Sequence, residues 1–324
     1  MKNKDYLFKL LLNATKILLA TIISIKIAEL FGLRNVTSAG IIAILSIQPT
    51  KKDTLTTSIL KVQSYVSAII IAYISFLILG INDLSFALYL VVYVLLSFRL
   101  NWVSSIAMNT VLISHFLVAK DISISMLINE SLLFIIGVGA GLIASLHLKK
   151  DKNSIEFLKD YADLKIVRYL VHISNSVSNK ELLAEGEEIF ASLNEDIEKA
   201  SIVADENFKN QFKDSDTFDI DYIKMRRKQA HILYEMDKIA LNISTKTLST
   251  KMIENFIKEV ALEFSKDNTV ETLIKKFNAL DTDIKSKPLP VTRMEFEDRA
   301  RLFTILRLLE EFLQIKADFV KNGK

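Results

Sequence analysis

Long apolar runs fill the first half of the chain, and periodic amphipathic runs fill the second. Leu7–Phe31, Val62–Leu79, Leu84–Phe98, Trp102–Ala119 and Ile124–Leu146 reach or approach the roughly 17–25 apolar residues that a membrane-crossing helix needs. A sixth run, around Thr37–Ile47, is too short. It meets Gln48 and Pro49, then Lys51, Lys52 and Asp53. Beyond Asp151 the pattern changes. Ile155, Leu158, Ala162, Ile166, Tyr169 and Ile173 recur at helical spacing. So do Ile189, Leu193 and Ile197, then Ile253, Phe256 and Val260, then Phe303, Leu306 and Leu313. Ser178 with Glu181 and Thr292 with Glu295 have the form of capping boxes. No strand alternation occurs. The pattern predicts an all-α protein: a six-span transmembrane helical domain over residues 1–150, then a cytosolic helical bundle over residues 151–324.

Composition sharpens this picture. Only 8 Gly and 3 Pro occur among 324 residues, which suits a helical chain. Cysteine is absent, which excludes disulfides, thiolate metal sites and cysteine nucleophiles. Residues 1–150 hold 13 Lys and Arg against 6 Asp and Glu, whereas residues 151–324 hold 28 against 32. With six crossings and a cytoplasmic N-terminus, the inner side receives Lys2, Lys4, Lys9, Lys51, Lys52, Lys61, Arg99, Lys149 and Lys150. The outer side receives Arg34 and Lys120. That bias follows the positive-inside rule. Without a crossing near Gln48 the charged half would face outward, so the short segment is predicted to cross, with Thr54–Ile59 continuing its helix. Both termini are then cytoplasmic, in a multi-pass protein of the cell membrane. Lys149, Lys150 and Lys152 are placed to meet anionic lipid. The first run carries Lys16 and Lys26 and lacks an A-x-A site, so it reads as a retained span.

Polar residues inside spans are costly and tend to face an interior or a water-filled path. Lys9, Asn13 and Lys16 share one face of the first span, with Lys16 about 14 Å deep at helical rise. Lys16 lines an anion path or snorkels to the interface. Lys26 and Glu29 read as an interfacial pair. Asn101, Ser105 and Asn109 form a stripe in the fifth span that, with Ser104, Ser114 and His115, bonds to other helices or lines a pathway. The sixth span contains Gly137 and Gly141 at the GxxxG spacing of close helix packing. Gln48, Pro49, Thr50, Lys51 and Lys52 form either a cytoplasmic turn or the mouth of a broken helix, whose freed backbone groups and lysines would attract an anion.

Catalytic and cofactor signatures are missing: no phosphate-binding glycine loop, zinc-protease motif or nucleophile elbow occurs. Neither enzymatic activity nor a cofactor or metal is expected. Asp214, Asp216, Asp219 and Asp221 read as an acidic helix entry. "MRRKQ", residues 225–229, reads as a solvated face with Arg226 and Arg227 paired locally, so nucleic acid is not an expected partner.

Three stretches together resemble the bacterial aromatic acid exporter family, within the fusaric acid resistance-like proteins. They are "SAGIIAILSIQPTKKDTL" (38–55), "YIKMRRKQAHIL" (222–233) and "LPVTRMEFEDRARLFTILRLLEEFLQIKADF" (289–319). The resemblance covers essentially the whole chain and implies a six-span domain before a helical C-terminal domain. It puts weight on Ser38, Ala39, Gly40, Gln48, Pro49, Thr50 and Lys51, and on Pro290, Thr292, Arg293, Glu295, Phe296, Glu297, Arg299 and Ala300. Arg293 and Arg299 either build the last helix or hold a small acidic ligand. Plant malate-conducting channels look related, and their two six-span units imply a homodimer here, as does the GxxxG face. The expected function is secondary or passive export, or channel conduction, of organic anions, aromatic carboxylates above all, through the bilayer. The anion path would comprise Lys16, Asn13, Gln48, Pro49, Thr50, Lys51, Lys52 and Asn109. The alternative is a membrane-anchored sensor whose cytosolic bundle binds a ligand or partner.

Overall fold

The computed structural model describes residues 2–146, 151–178, 185–211, 216–244, 247–265 and 268–322, and only the backbone of residues 2–9, 13 and 178. The capping box at Ser178 and Glu181, His147, Lys149, Lys150, Asp214 and any continuity across residues 147–150 lie outside the described residues. Every regular element among the described residues is helical. The chain divides into two compact units: Met1–Lys149 with Lys209–Phe212, and Lys150–Phe208 with Lys213–Lys324.

The first unit holds α1 (Lys2–Leu30), α2 (Thr37–Ser46), α3 (Lys51–Leu79), α4 (Asp83–Arg99), α5 (Ile106–Ala119) and α6 (Ile124–Leu146). Within it, Leu10–Leu30, Lys51–Leu79 and Ile124–Leu146 are long and apolar enough to cross a membrane by length and composition. Their lipid-compatible faces are exposed, as at Leu18, Ile23, Val66, Ile70, Ile135 and Ile143. The interior of the unit combines apolar clusters, with Phe76, Tyr93, Leu112, Phe116 and Phe134 among their members, with buried polar side chains. The buried face of α3 reads Thr54, Ser58, Lys61, Ser64, Tyr65, Ala68, Ala72, Ser75 and Phe76.

Two expectations are corrected here. The short segment does not continue as one helix through Ile59. It stops at Ser46, Ile47 turns extended (φ −75°, ψ 127°), and a new helix starts at Lys51. Pro49 is the physical reason: it biases the residue before it away from helical geometry and has no N–H to extend a helix. Thr50 then caps α3, its Oγ1 accepting from the Asp53 amide at 3.2 Å. The span expected from Val62 therefore begins eleven residues earlier, and Lys61 becomes an interior residue rather than a loop charge. The second correction concerns Asn101, which leaves the expected polar stripe. It sits exposed at φ 58°, ahead of a 3-10 turn at Val103–Ser105, and α5 proper starts at Ile106.

The glycine spacing on α6 does serve close packing, but inside the chain. A Cβ at Gly137 would lie 2.5 Å from Ile42 Cβ and 2.8 Å from Ala39 O, and one at Gly141 would lie 2.6 Å from Ser46 Cβ. The face expected to join two copies is thus occupied by α2.

The second unit holds α7 (Lys152–Ser178), α8 (Glu185–Lys209), α9 (Phe218–Ala240), α10 (Leu248–Leu262), α11 (Glu271–Ser286) and α12 (Arg293–Asn322). Their apolar stripes meet in one core that includes Ile166, Tyr169, Leu193, Leu233, Ile257, Phe277 and Leu309. Inside that core lies a guanidinium. Arg226 is fully buried, which overturns its expected place on a solvated face. Its Nε and Nη2 donate to the two Asp163 oxygens at 2.8 and 3.0 Å, and its Nη1 donates to Gln229 Oε1 at 2.7 Å. Nη2 also donates to the Tyr222 hydroxyl, and the guanidinium lies 4.4 Å from the Phe264 ring centroid. A buried cation persists because its donors are engaged by a carboxylate and neutral acceptors. The Tyr222 hydroxyl donates in turn to Asp163, and burial pushes its titration well up. Arg227 follows the expectation, pairing with Glu198 at 2.9 Å while partly exposed.

Three substitutions test these packings in detergent-solubilised protein. Gly137→Val should lower Tm, because overpacking costs about 1–3 kcal/mol. Gly139→Ala should leave Tm unchanged, since a Cβ there meets nothing within 4 Å. Arg226→Ala should strip Asp163 of its partner and cost about 3–5 kcal/mol, with a matching fall in Tm.

Candidate functional site

The break between α2 and α3 leaves the last carbonyls of α2 without helical partners. Lys61 answers that need. It is 1% exposed, and its Nζ donates to Leu45 O at 2.5 Å and to Ser46 Oγ at 3.1 Å. A cation there also complements the negative end of the helix. Lys61 lies ten residues into α3, about 15 Å along its axis. The end of α2 is therefore level with the third turn of α3. Residues 47–50 link back to the start of α3, extended at Ile47 and Thr50 and bent at Pro49, and could cover at most roughly 3.4 Å per residue. At that upper limit half-helix and link together approach the hydrocarbon core of a bilayer, about 30 Å. Irregular backbone at such depth needs burial or a lined cavity.

Residues 48–52 fall on this feature. Gln48 is half-buried and Pro49 exposed, Thr50 is the buried cap, and Lys51 and Lys52 form the first turn of α3. Among the described residues no carboxylate lies within ion-pair distance of Lys61. One turn before it, the buried Ser58 hydroxyl has no partner. One turn after it, Ser64 Oγ meets Tyr93 OH at 2.7 Å. Asn109 Nδ2 donates to both, at 3.1 and 2.6 Å, and its Oδ1 is left without a partner. Asn109 thus belongs to the polar column that Lys61 heads.

A second polar cluster joins α2, α5 and α6. His115 Nδ1 lies 2.6 Å from Glu130 Oε2, and His115 Nε2 lies 3.3 Å from Ser38 Oγ. Asn129 Nδ2 donates to Glu130 Oε1 at 2.9 Å, and Asn129 also bonds the Arg34 backbone through both its amide groups. Glu130 is fully buried, while His115 keeps 14% of its side chain accessible.

Lys16 is placed elsewhere. It lines an apolar groove of about 480 Å³ between α1 and α6, with Ile23, Ile27, Ile135, Gly139 and Ala140. No residue from 48–52 lines that groove, so the structure does not bring the two expected parts of the path together. The Asn13 side chain lies outside the described residues. Lys26 and Glu29 form the expected exposed pair at 2.7 Å.

In the second unit Arg293 is exposed and pairs with Glu297 at 2.9 Å. Arg299 donates to the carbonyls of Ile284, Lys287 and Pro288, closing the end of α11 and the loop after it. Glu295 accepts from the Val291 amide, and Thr292 caps the Glu295 amide at 3.1 Å. The motif around Pro290 thus organises the entry to α12. Burial also raises the Asp237 carboxyl above the usual range, against the pull of His172 3.1 Å away.

Sequence reasoning missed Lys61, Glu130 and Asn129 as site residues, and noted His115 among the polar residues of the fifth span without its partner. Signals existed. Thr50 and Asp53 carry the capping-box spacing that starts a helix before Lys61. His115 and Glu130 lie at comparable depth on either side of one short loop, as an acid and an imidazole in otherwise apolar runs.

Apolar outer faces around an interior that also buries polar and ionisable side chains suit a helical membrane protein. Residues 8–148 match the model of "Aromatic acid exporter family member 1", and residues 148–317 match "Putative aromatic acid exporter C-terminal domain". The chain belongs to the aromatic acid exporter family. It is 29% identical over 320 residues to "Uncharacterized protein YqjA" of Bacillus subtilis (strain 168), covering 97% of each chain. A solved structure titled "Crystal structure of putative membrane protein from Clostridium difficile 630" aligns with a TM-score of 0.46 and 22% identity, over 52% of this chain and 99% of that one.

Replacing Lys61 by Met keeps the volume and removes the donor. The orphaned Leu45 carbonyl and Ser46 hydroxyl should then cost about 1–3 kcal/mol. A thermal unfolding scan should show the loss for Lys61→Met and none for Lys16→Met.

Proposed function

We propose that this protein exports, or conducts, organic anions of the aromatic carboxylate class across the cell membrane. The observation that carries the reading is the buried Lys61 at the helix break, a cation held by neutral oxygens and, among the described residues, not neutralised by a carboxylate. A carboxylate arriving there exchanges the solvation it loses for a charge-assisted contact. Lys51 and Lys52, at the positive end of α3, gather anions toward the break. The apolar surroundings accommodate a ring. Lys16 offers a second cationic contact along the α1–α6 groove. In this reading the half-helix and its extended link complete a crossing. The first unit then spans the membrane six times, with both termini and the charged second unit in the cytoplasm. No nucleotide-binding motif occurs in the sequence, so movement is secondary or passive. Pairing of two copies rests on the resemblance to two-unit channels, since the α6 glycines already pack on α2.

Radiolabelled benzoate flux into proteoliposomes, with protein-free vesicles as baseline, tests this. Wild type should exceed the baseline. Lys61→Met should cut the excess by more than about tenfold, a loss of roughly 1.4 kcal/mol or more. The paired change Lys51→Ala with Lys52→Ala should weaken uptake at low benzoate more than at saturation. A wild type no faster than empty vesicles, or a Lys61→Met variant as fast as wild type, contradicts the reading.

A further inference from the structure

The Ser38–His115–Glu130 cluster takes no part in the anion reading, yet it is the only carboxylate–imidazole pair among the described residues of the first unit. Its geometry has a specific property. Both ring nitrogens of His115 are engaged, Nδ1 by the carboxylate and Nε2 by a hydroxyl. A hydroxyl donates or accepts as required. With Nε2 unprotonated, Ser38 donates to it. With Nε2 protonated, the N–H donates to Ser38 Oγ. Either state is satisfied without moving a heavy atom. The Nδ1–H donates to Glu130 Oε2 in both.

Charge and access point the same way. Glu130 is wholly buried, and Asn129 occupies its other oxygen. A buried lone carboxylate is costly, and an imidazolium beside it cancels the charge. Only His115 is accessible, so a proton enters and leaves at Nε2 while Glu130 supplies the fixed counter-charge. The other described ionisable side chains of the neighbouring elements are Lys51, Lys52, Asp53, Lys61, Tyr65 and Tyr73 of α3, Lys16 and the mutually paired Lys26 and Glu29 of α1, Asp83, Tyr89, Tyr93 and Arg99 of α4, and Arg34, Lys120 and Asp121 in the loops. The helix α2 has no ionisable side chain. Ser38 lies in the first turn of α2, and the other end of the same ten-residue helix is the one Lys61 holds.

We propose that Ser38, His115 and Glu130 form a proton-binding site, and that its occupancy, passed along α2 to the Lys61 break, couples anion movement to the proton gradient. Water delivers the proton to the Nε2 lone pair, giving an imidazolium paired with the Glu130 carboxylate, and no other bond changes. The coupling rests on the exporter reading, whereas the proton binding does not.

The test has two arms on the full chain. In nanodiscs without substrate, infrared difference spectra are taken over roughly pH 5–8, the interval in which imidazole changes charge. Beyond the bands of His147, His172 and His231, which all variants keep, wild type should show an imidazole component that His115→Asn removes and a carboxylate component that Glu130→Gln removes. In proteoliposomes, an imposed pH gradient should change benzoate flux in wild type and leave it unchanged in either variant. His115→Asn keeps a donor facing Glu130, which guards against a folding failure of Glu130→Gln. Spectra that show no such signal, or that keep it in the variants, overturn the proton site. A wild-type benzoate flux indifferent to the gradient overturns the coupling. If wild type carries no benzoate at all, the exporter reading fails on that probe, and the infrared arm still decides whether the site binds protons.

Discussion

One contact organises the first unit: the Lys61 ammonium on the open end of α2. A ten-residue helix ending in a buried place leaves carbonyls that nothing in its own sequence can satisfy. Lys61 satisfies them from the neighbouring helix, and so fixes how α3 lies beside α2. The glycines of α6 then become necessary, because α2 must sit close enough to α6 for Gly137 and Gly141 to face its backbone. Ser38, at the other end of α2, is brought to His115 by the same placement. Break, lysine, glycine face and acid–imidazole pair are parts of one arrangement around a short helix.

That arrangement has a functional cost and a functional use. A helix broken at depth is less stable than a continuous one, because its termini lack ladder bonds. What it provides is a set of donors and a cation inside an apolar shell, where a carboxylate is otherwise excluded. Arg226 in the second unit offers a contrast. It is also buried and cationic, but Asp163, Gln229 and Tyr222 engage it, so it locks α7 to α9 and has no charge to offer a ligand. Lys61 meets only neutral oxygens. That partner chemistry separates the two buried cations, and the anion role proposed for Lys61 rests on it.

Much of this was legible in the chain. Apolar runs gave α1, α3 and α6, helical spacing gave the second unit's core faces, and the GxxxG spacing gave close packing. The all-helical class followed from the same periodicities. What was not legible depended on contacts far apart in sequence. The Lys61 charge looked like loop charge because the apolar window of α3 starts at Val62, although the helix starts at its Thr50 cap. Arg226 looked solvated because Asp163, its counter-charge, lies 63 residues away. Asn101 kept helical spacing with Asn109, but a left-handed residue and a 3-10 turn intervene. Lys16 and residues 48–52 share a charge type without sharing a groove.

The central claim is that the break around Lys61 is a water-accessible site with a preference for anions. The chain has no cysteine, so a single Ser58→Cys substitution gives a unique thiol one turn from Lys61. Its modification rate by a negatively charged methanethiosulfonate, relative to a positively charged one of similar size, reads both access and local charge. The account predicts that Ser58→Cys reacts, that the anionic reagent is favoured, that benzoate slows it, and that adding Lys61→Met abolishes the preference. A thiol that no charged reagent reaches, or a preference unchanged without Lys61, would contradict it.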